Sequence, residues 1–162
     1  MKKYVMYVRF LIVALIAHVL GYLIAGGIAY QLITKEFWEG TNSILSVYLR
    51  TPGNVELWKH AMTWQIPGQF FRAIFIAIAL FPLLESIKLW KLRKLILFYF
   101  VLIFVLTHFA SAAPSPANIE GLIYMKPELI TPGFLKMQPE MILYSIIFAI
   151  ILGKYGIKKI KE

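Results

Sequence analysis

The sequence predicts an all-α integral membrane protein, a bundle of four transmembrane helices with two structured, partly helical external loops. Hydrophobic residues make up 60% of the 162 residues, whereas soluble domains usually contain about 45–50%. Four long stretches carry few or no charged side chains, as segments inside a bilayer must. Lysine and arginine crowd between these stretches. The whole chain, 1–162, is therefore predicted to be a single membrane domain.

The first predicted transmembrane helix covers residues 10–33, which contain no charged side chain. This apolar stretch is longer than the ~7–15 residues of a signal-peptide core. Within it, Ala17, Gly21, Ala25 and Ala29 recur at every fourth position. Small residues at this spacing let another helix approach closely in lipid. We expect them to form a helix-packing face, either within this chain or against a partner.

The first external loop, residues 34–66, is amphipathic and aromatic. Three of the four tryptophans of the chain lie in it: Trp38, Trp58 and Trp64. Because Trp concentrates at membrane surfaces, the loop is interpreted as two short helices in the interface. The second transmembrane helix is predicted over residues 67–88, with Pro67 at the first helical position, where proline is favoured.

The third transmembrane helix is predicted over residues 95–113, before two prolines, and is followed by an external loop over residues 114–138. This loop is too apolar to be a solvated linker. Uncharged residues in the last stretch cover only 141–153, about 20 Å of helix. A helix over residues 139–157 reaches the length that a bilayer requires. This assignment puts Glu140 in the first turn, where the helix dipole favours an anion.

The distribution of positive charge predicts that both termini are cytoplasmic, because cytoplasmic loops are rich in Lys and Arg. The shorter segments hold eleven of the seventeen basic residues: Lys2, Lys3, Arg9, Lys88, Lys91, Arg93, Lys94, Lys154, Lys158, Lys159 and Lys161. The same crowding explains the net charge of +9, so nucleic acid is not a predicted partner. The predicted location is the cell or cytoplasmic membrane, with several passes.

Polar residues near the outer end of the bundle form a candidate anion- or lipid-binding site. Arg72 lies near a helix N-terminus, whose positive dipole would help it to attract an anion such as Glu140 or a lipid phosphate. The alternative is that Arg72 extends to the headgroups or closes a structural ion pair. The full candidate set is Arg72, Gln69, Glu120, Glu140 and His108.

Two histidines inside predicted helices, His18 and His108, raise the possibility of haem ligation by both rings. The two positions differ in depth by about 9 Å at 1.5 Å per residue, so they are weak candidates and no cofactor is predicted. Tyr22, one turn after His18, could share a hydrogen bond with it. No metal site and no catalytic residue is predicted, because the chain lacks cysteine and aspartate and shows none of the common catalytic motifs.

The leading functional hypothesis is a non-enzymatic interaction or accessory subunit of a membrane complex. Its partners would be membrane lipids and other membrane proteins, or a second copy of the chain. One alternative is a lipid- or anion-binding membrane enzyme or transporter with an outer-leaflet site around Arg72. Another is a redox subunit that binds haem or quinone through its histidines.

Overall fold

The computed structural model describes residues 3–39, 43–130 and 133–157, and every regular element in these ranges is helical. Lys2 and the lysines after residue 157, which contributed to the topology prediction, lie outside the described residues. Four helices are long and apolar enough to cross a membrane, which confirms the all-helical architecture. They are α1 (Lys3–Trp38), α2 (Val55–Ile87), α3 (Leu92–Phe109) and α6 (Phe134–Gly156), and the short helices α4 (Ile119–Tyr124) and α5 (Pro127–Ile130) connect α3 to α6.

Helix α2 begins at Val55, twelve residues before the predicted start. The side-chain oxygen of Asn54 accepts a hydrogen bond from the backbone N–H of Leu57 at 3.1 Å, which caps the first turn. Pro67 lies inside this helix, where it removes one backbone hydrogen bond without ending the helix. The predicted short helix and the predicted transmembrane helix are therefore one continuous element.

Helix α1 also extends beyond its predicted end, through a π-helical turn over Tyr30–Thr34. With 36 residues in α1 and 33 in α2, the two helices are about 54 and about 50 Å long, well beyond a ~30 Å hydrocarbon core. The predicted loop 34–66 is thus reduced to a connection over residues 39–54, which contains a 3-10 turn at Ile44–Val47.

The last two transmembrane helices also differ from prediction at their outer ends. Helix α6 begins at Phe134 and contains Pro139 in its interior, so Glu140 lies in the second turn rather than the first. The dipole argument for Glu140 therefore no longer applies, because that effect fades beyond the first turn. Helix α3 ends at Phe109, and its second half, Leu102–Phe109, is π-helical.

Helix α1 is the centre of the bundle because it packs along both α2 and α6, while α3 packs against α6. The small residues Ala17, Gly21, Ala25 and Ala29 are all buried. A Cβ atom on Gly21 would lie 3.1 Å from the ring of Tyr144 on α6. The small-residue face therefore lets helices of this same chain approach one another.

Candidate functional site

A cavity of about 810 Å³ lies between the C-terminal half of α1 and the N-terminal half of α2. The connection around residues 48–50 borders it, and α6 contributes Glu140. Its volume falls within the range of small-molecule sites, about 300–1,000 Å³. Aromatic side chains dominate the lining: Tyr22, Tyr30, Trp38, Tyr48, Trp58 and Trp64.

Glycines create much of the open volume. Gly26 and Gly27 of α1 and Gly68 of α2 line the cavity. A Cβ atom added to Gly27 or Gly68 would have nothing within 4 Å. The rings of Trp38 and Trp58, which come from the two facing helices, have centroids 6.2 Å apart. The walls are thus built from large aromatic side chains separated by positions without a side chain.

A buried hydrogen-bond chain joins three helices beside the cavity. His18 of α1 is 1% exposed. Its Nδ1 lies 2.5 Å from the hydroxyl of Tyr144 on α6, and its Nε2 lies 2.9 Å from Oε1 of Gln69 on α2. An amide oxygen can only accept, so Nε2 donates, and in the neutral ring Nδ1 accepts from the Tyr144 hydroxyl. The amide nitrogen of Gln69 makes no bond to His18 and remains a donor at the cavity wall.

A second polar pair lies one helical turn away on α2. The amide nitrogen of Gln65 donates to the hydroxyl of Tyr22 at 3.2 Å, and both residues line the cavity. The sequence suggested that Tyr22 would bond to His18. That expectation is wrong, because His18 already uses both ring nitrogens for Tyr144 and Gln69. Gln65 is the partner of Tyr22 instead.

Glu140 is the acidic residue of the cavity lining, and it is half-buried. Its carboxyl group makes no hydrogen bond or ion pair within residues 3–39, 43–130 and 133–157. A Cβ atom on Gly26 would lie 3.6 Å from Glu140 Oε1, so the carboxyl group faces α1 at a glycine. Thr34, 1% exposed, also lines the cavity, and its hydroxyl has no partner in the described part of the chain. Burying the Glu140 carboxyl group costs free energy unless a partner binds it.

The connection above the cavity carries Arg50 and Tyr48, which both line it. Arg50 is exposed, so water can solvate its charge. Burial raises the pKa of the Tyr48 phenol to about 12, because desolvation disfavours the phenolate. Tyr48 therefore contributes a neutral hydroxyl at any physiological pH.

The proposed pair between Arg72 and Glu140 is not formed. Arg72 is exposed and makes no ion pair in the part of the chain that the structure describes. Gln69 bonds to His18 of α1 and lines the cavity, whereas Arg72, three residues further along α2, is not part of the lining. The ion pairs that do form are exposed and lie elsewhere: Lys35 with Glu39, Lys88 with Glu85 and Lys136 with Glu36.

His108 and Glu120 also lie outside the cavity lining. Nε2 of His108 and Oε1 of Gln138 are both buried, and neither has a hydrogen-bond partner among the described residues. With both ring nitrogens of His18 occupied, the two-histidine haem arrangement lacks a free nitrogen on that ring. No cluster of three or more His, Asp or Glu suited to a metal occurs in the described ranges.

Of the predicted site residues, the structure thus brings Gln69 and Glu140 to one cavity and leaves Arg72, Glu120 and His108 outside it. Tyr144 is not among the predicted site residues, because its contact with His18 joins positions 126 residues apart. The concentration of tryptophan in the first external loop was a usable signal for the aromatic walls. Comparison of the chain with protein-family models, curated proteins and solved structures gives no match. Its function must therefore be argued from this geometry.

Proposed function

We propose that this chain is a multi-pass integral membrane protein with both termini in the cytoplasm, which binds an amphipathic small molecule in its outer cavity. The observation that carries this proposal is the half-buried carboxyl group of Glu140, which lies at the wall of an aromatic cavity and has no partner among the residues that the structure describes. A molecule with an apolar body and a polar head satisfies both parts of this lining.

The depth of the cavity supports an amphipathic ligand. Glu140 lies about 24 Å along α6 from its far end at Gly156, which places it within a ~30 Å hydrocarbon core. Trp58 lies about 44 Å along α2 from Ile87, beyond that core. The cavity therefore crosses the boundary between hydrocarbon and headgroups, where Trp and Tyr side chains are favoured.

The orientation follows from the basic connection between α2 and α3, which contains Lys91, Arg93 and Lys94. This connection lies at the opposite end of the bundle from the cavity, so the positive-inside tendency places the cavity outside. The chain has no cysteine, so single-cysteine variants test this directly. A membrane-impermeant maleimide should label Lys126→Cys in intact cells and Lys91→Cys only after permeabilisation. The reverse pattern would invert the topology.

Filling the cavity tests the binding proposal. Gly27→Leu and Gly68→Leu place side chains in open space, so they should abolish binding while the protein stays folded. Ile28→Phe is the matched control, because Ile28 is 44% exposed and does not line the cavity. Binding is measured in phosphatidylcholine vesicles by energy transfer from tryptophan to a dansyl-labelled dodecyl amphiphile. Unchanged energy transfer in both filled variants would refute the proposal.

The accessory-subunit hypothesis depended on the small-residue face of α1. That face is buried within the chain, so it supplies no surface for a partner helix. The redox hypothesis depended on His18, whose ring nitrogens are both hydrogen-bonded. Binding of an amphipathic ligand is the function that the arranged side chains support best.

A further inference from the structure

The two charged residues that line the cavity, Glu140 and Arg50, lie in different surroundings. Arg50 is exposed on the connection between α1 and α2, whereas Glu140 is half-buried on a membrane-spanning helix. A charge interaction strengthens as the local dielectric falls, because the Coulomb energy is inversely proportional to it. The negative charge of Glu140, rather than the positive charge of Arg50, should therefore determine which ligand charge the cavity favours.

Among residues 3–39, 43–130 and 133–157, no cationic side chain forms an ion pair with Glu140. Gly26 faces its carboxyl group from α1, and α2 contributes the neutral amides of Gln65 and Gln69 to the same lining. Arg72 forms no ion pair with it in the described part of the chain. A bound cation can supply the missing partner for the carboxylate.

The aromatic walls favour a cation of a particular kind. The faces of Trp and Tyr rings attract ammonium groups, at about 0.5–2 kcal/mol for each contact. Tyr22 and Tyr30 line the cavity one helical turn to either side of Gly26, the glycine that faces the Glu140 carboxyl group. Trp38 and Trp58 line a more distant part of the same cavity, with ring centroids 6.2 Å apart.

From this arrangement we infer that the ligand is a cationic amphiphile whose ammonium head binds Glu140 beside the rings of Tyr22 and Tyr30, while its apolar chain extends along the part of the cavity lined by Trp38 and Trp58. The inference rests on the proposed function and deepens it by naming the class of ligand.

Three dodecyl compounds that differ in their heads test the inference: dodecyltrimethylammonium, dodecanol and dodecanoate. Each is used to displace the dansyl-labelled probe from the full-length protein in phosphatidylcholine vesicles, with its partitioning measured in protein-free vesicles. We expect the ammonium compound to displace the probe at about tenfold lower bound concentration than the other two. In Glu140→Gln this preference should disappear, while displacement by dodecanol stays within about twofold.

Glu120→Gln is the matched control, because Glu120 is half-buried outside the cavity lining, and it should keep the preference. Glu140→Asp should also keep it. If Glu140→Gln does not fold, the concentrations at which the three compounds displace the probe from the unmodified protein still test the inference. Equal displacement by all three, or a preference for dodecanoate, would overturn the inference and leave the binding proposal standing. Failure of the labelled probe to bind the unmodified protein would refute the binding proposal itself.

Discussion

Replacing Tyr144 by Phe tests the buried hydrogen-bond chain that joins α1, α2 and α6. The change removes one hydroxyl and keeps the ring, so the contacts of Tyr144 with Gly21 and Phe148 remain and no large cavity forms. What is lost is the hydrogen bond to Nδ1 of His18, which is then buried without a donor. The effect therefore measures the polar interaction rather than packing.

The expected cost follows from two known scales. A buried polar group left without a partner usually costs about 1–3 kcal/mol in soluble proteins. In membrane proteins the measured coupling between such groups averages only about 0.6 kcal/mol and reaches about 1.7, because the unfolded chain in the membrane also finds partners. The bond from Tyr144 to His18 is short and wholly interhelical. We therefore expect Tyr144→Phe to lower the free energy of unfolding by about 1–2 kcal/mol.

Unfolding by dodecyl sulfate in mixed micelles measures this free energy, and the adjacent residue supplies the control. Ser145 is also buried, but its hydroxyl donates to the carbonyl of Met141 in its own helix at 2.7 Å. Such a bond is local and survives helix separation, so Ser145→Ala should cost less than about 0.5 kcal/mol. A double-mutant cycle of Tyr144→Phe with His18→Leu should give a coupling of about 0.6–1.7 kcal/mol. Zero coupling, or equal costs for Tyr144→Phe and Ser145→Ala, would refute the reasoning.

Three further predictions concern residues outside this chain of bonds. A Cβ atom on Gly121 would overlap the carbonyl oxygen of Ser115, so Gly121→Ala should lower the free energy of unfolding by about 3 kcal/mol. Gly27 has open space at the same position. Gly27→Ala should therefore leave the free energy of unfolding unchanged or raise it by up to ~1 kcal/mol. The side chain of Asn118 accepts hydrogen bonds from two backbone N–H groups and donates to two backbone carbonyls. Asn118→Asp keeps the acceptor oxygen and loses the donor, so it should lower the free energy of unfolding by about 2 kcal/mol in the same assay. Tyr48 should ionise near pH 12. An ultraviolet absorbance titration measures this step as the difference between the unmodified protein and Tyr48→Phe. A step near pH 10 would contradict the desolvation of the phenol.

The four helices that are long and apolar enough to cross a membrane could be predicted, because an absence of charge over that length is a local property of the sequence. Their ends could not, and the errors at the starts of α2 and α6 both involve proline. Pro67 and Pro139 suit the first turn of a helix, so each was taken as a start. Each instead lies inside a longer helix, where the loss of one hydrogen bond is small beside those made on either side. Proline alone does not distinguish these two positions.

The candidate site shows a different limit. The sequence gives the depth of a residue through its distance from the helix end, and on that basis Gln69, Arg72 and Glu140 were placed together. It does not give the rotation of a helix about its axis, which depends on partners far along the chain. Gln69 bonds to His18 and reaches the cavity lining, whereas Arg72 stays outside the lining and forms no ion pair with Glu140. A tertiary contact between two helices thus selected which of two neighbouring polar residues reaches the cavity.

The hydrogen-bond chain and the cavity are physically linked through Gln69. Tyr144, His18 and Gln69 connect α6, α1 and α2, the three helices that contribute side chains to the lining. The wall beside Gln69 is therefore held in place before any ligand arrives, and a preorganised wall lowers the ordering cost of binding. On the side toward residues 48–50, the side chains of Tyr48 and Leu49 are 42% and 41% exposed. A ligand should thus enter from this outer side, and loss of His18 should weaken binding even though His18 itself does not line the cavity.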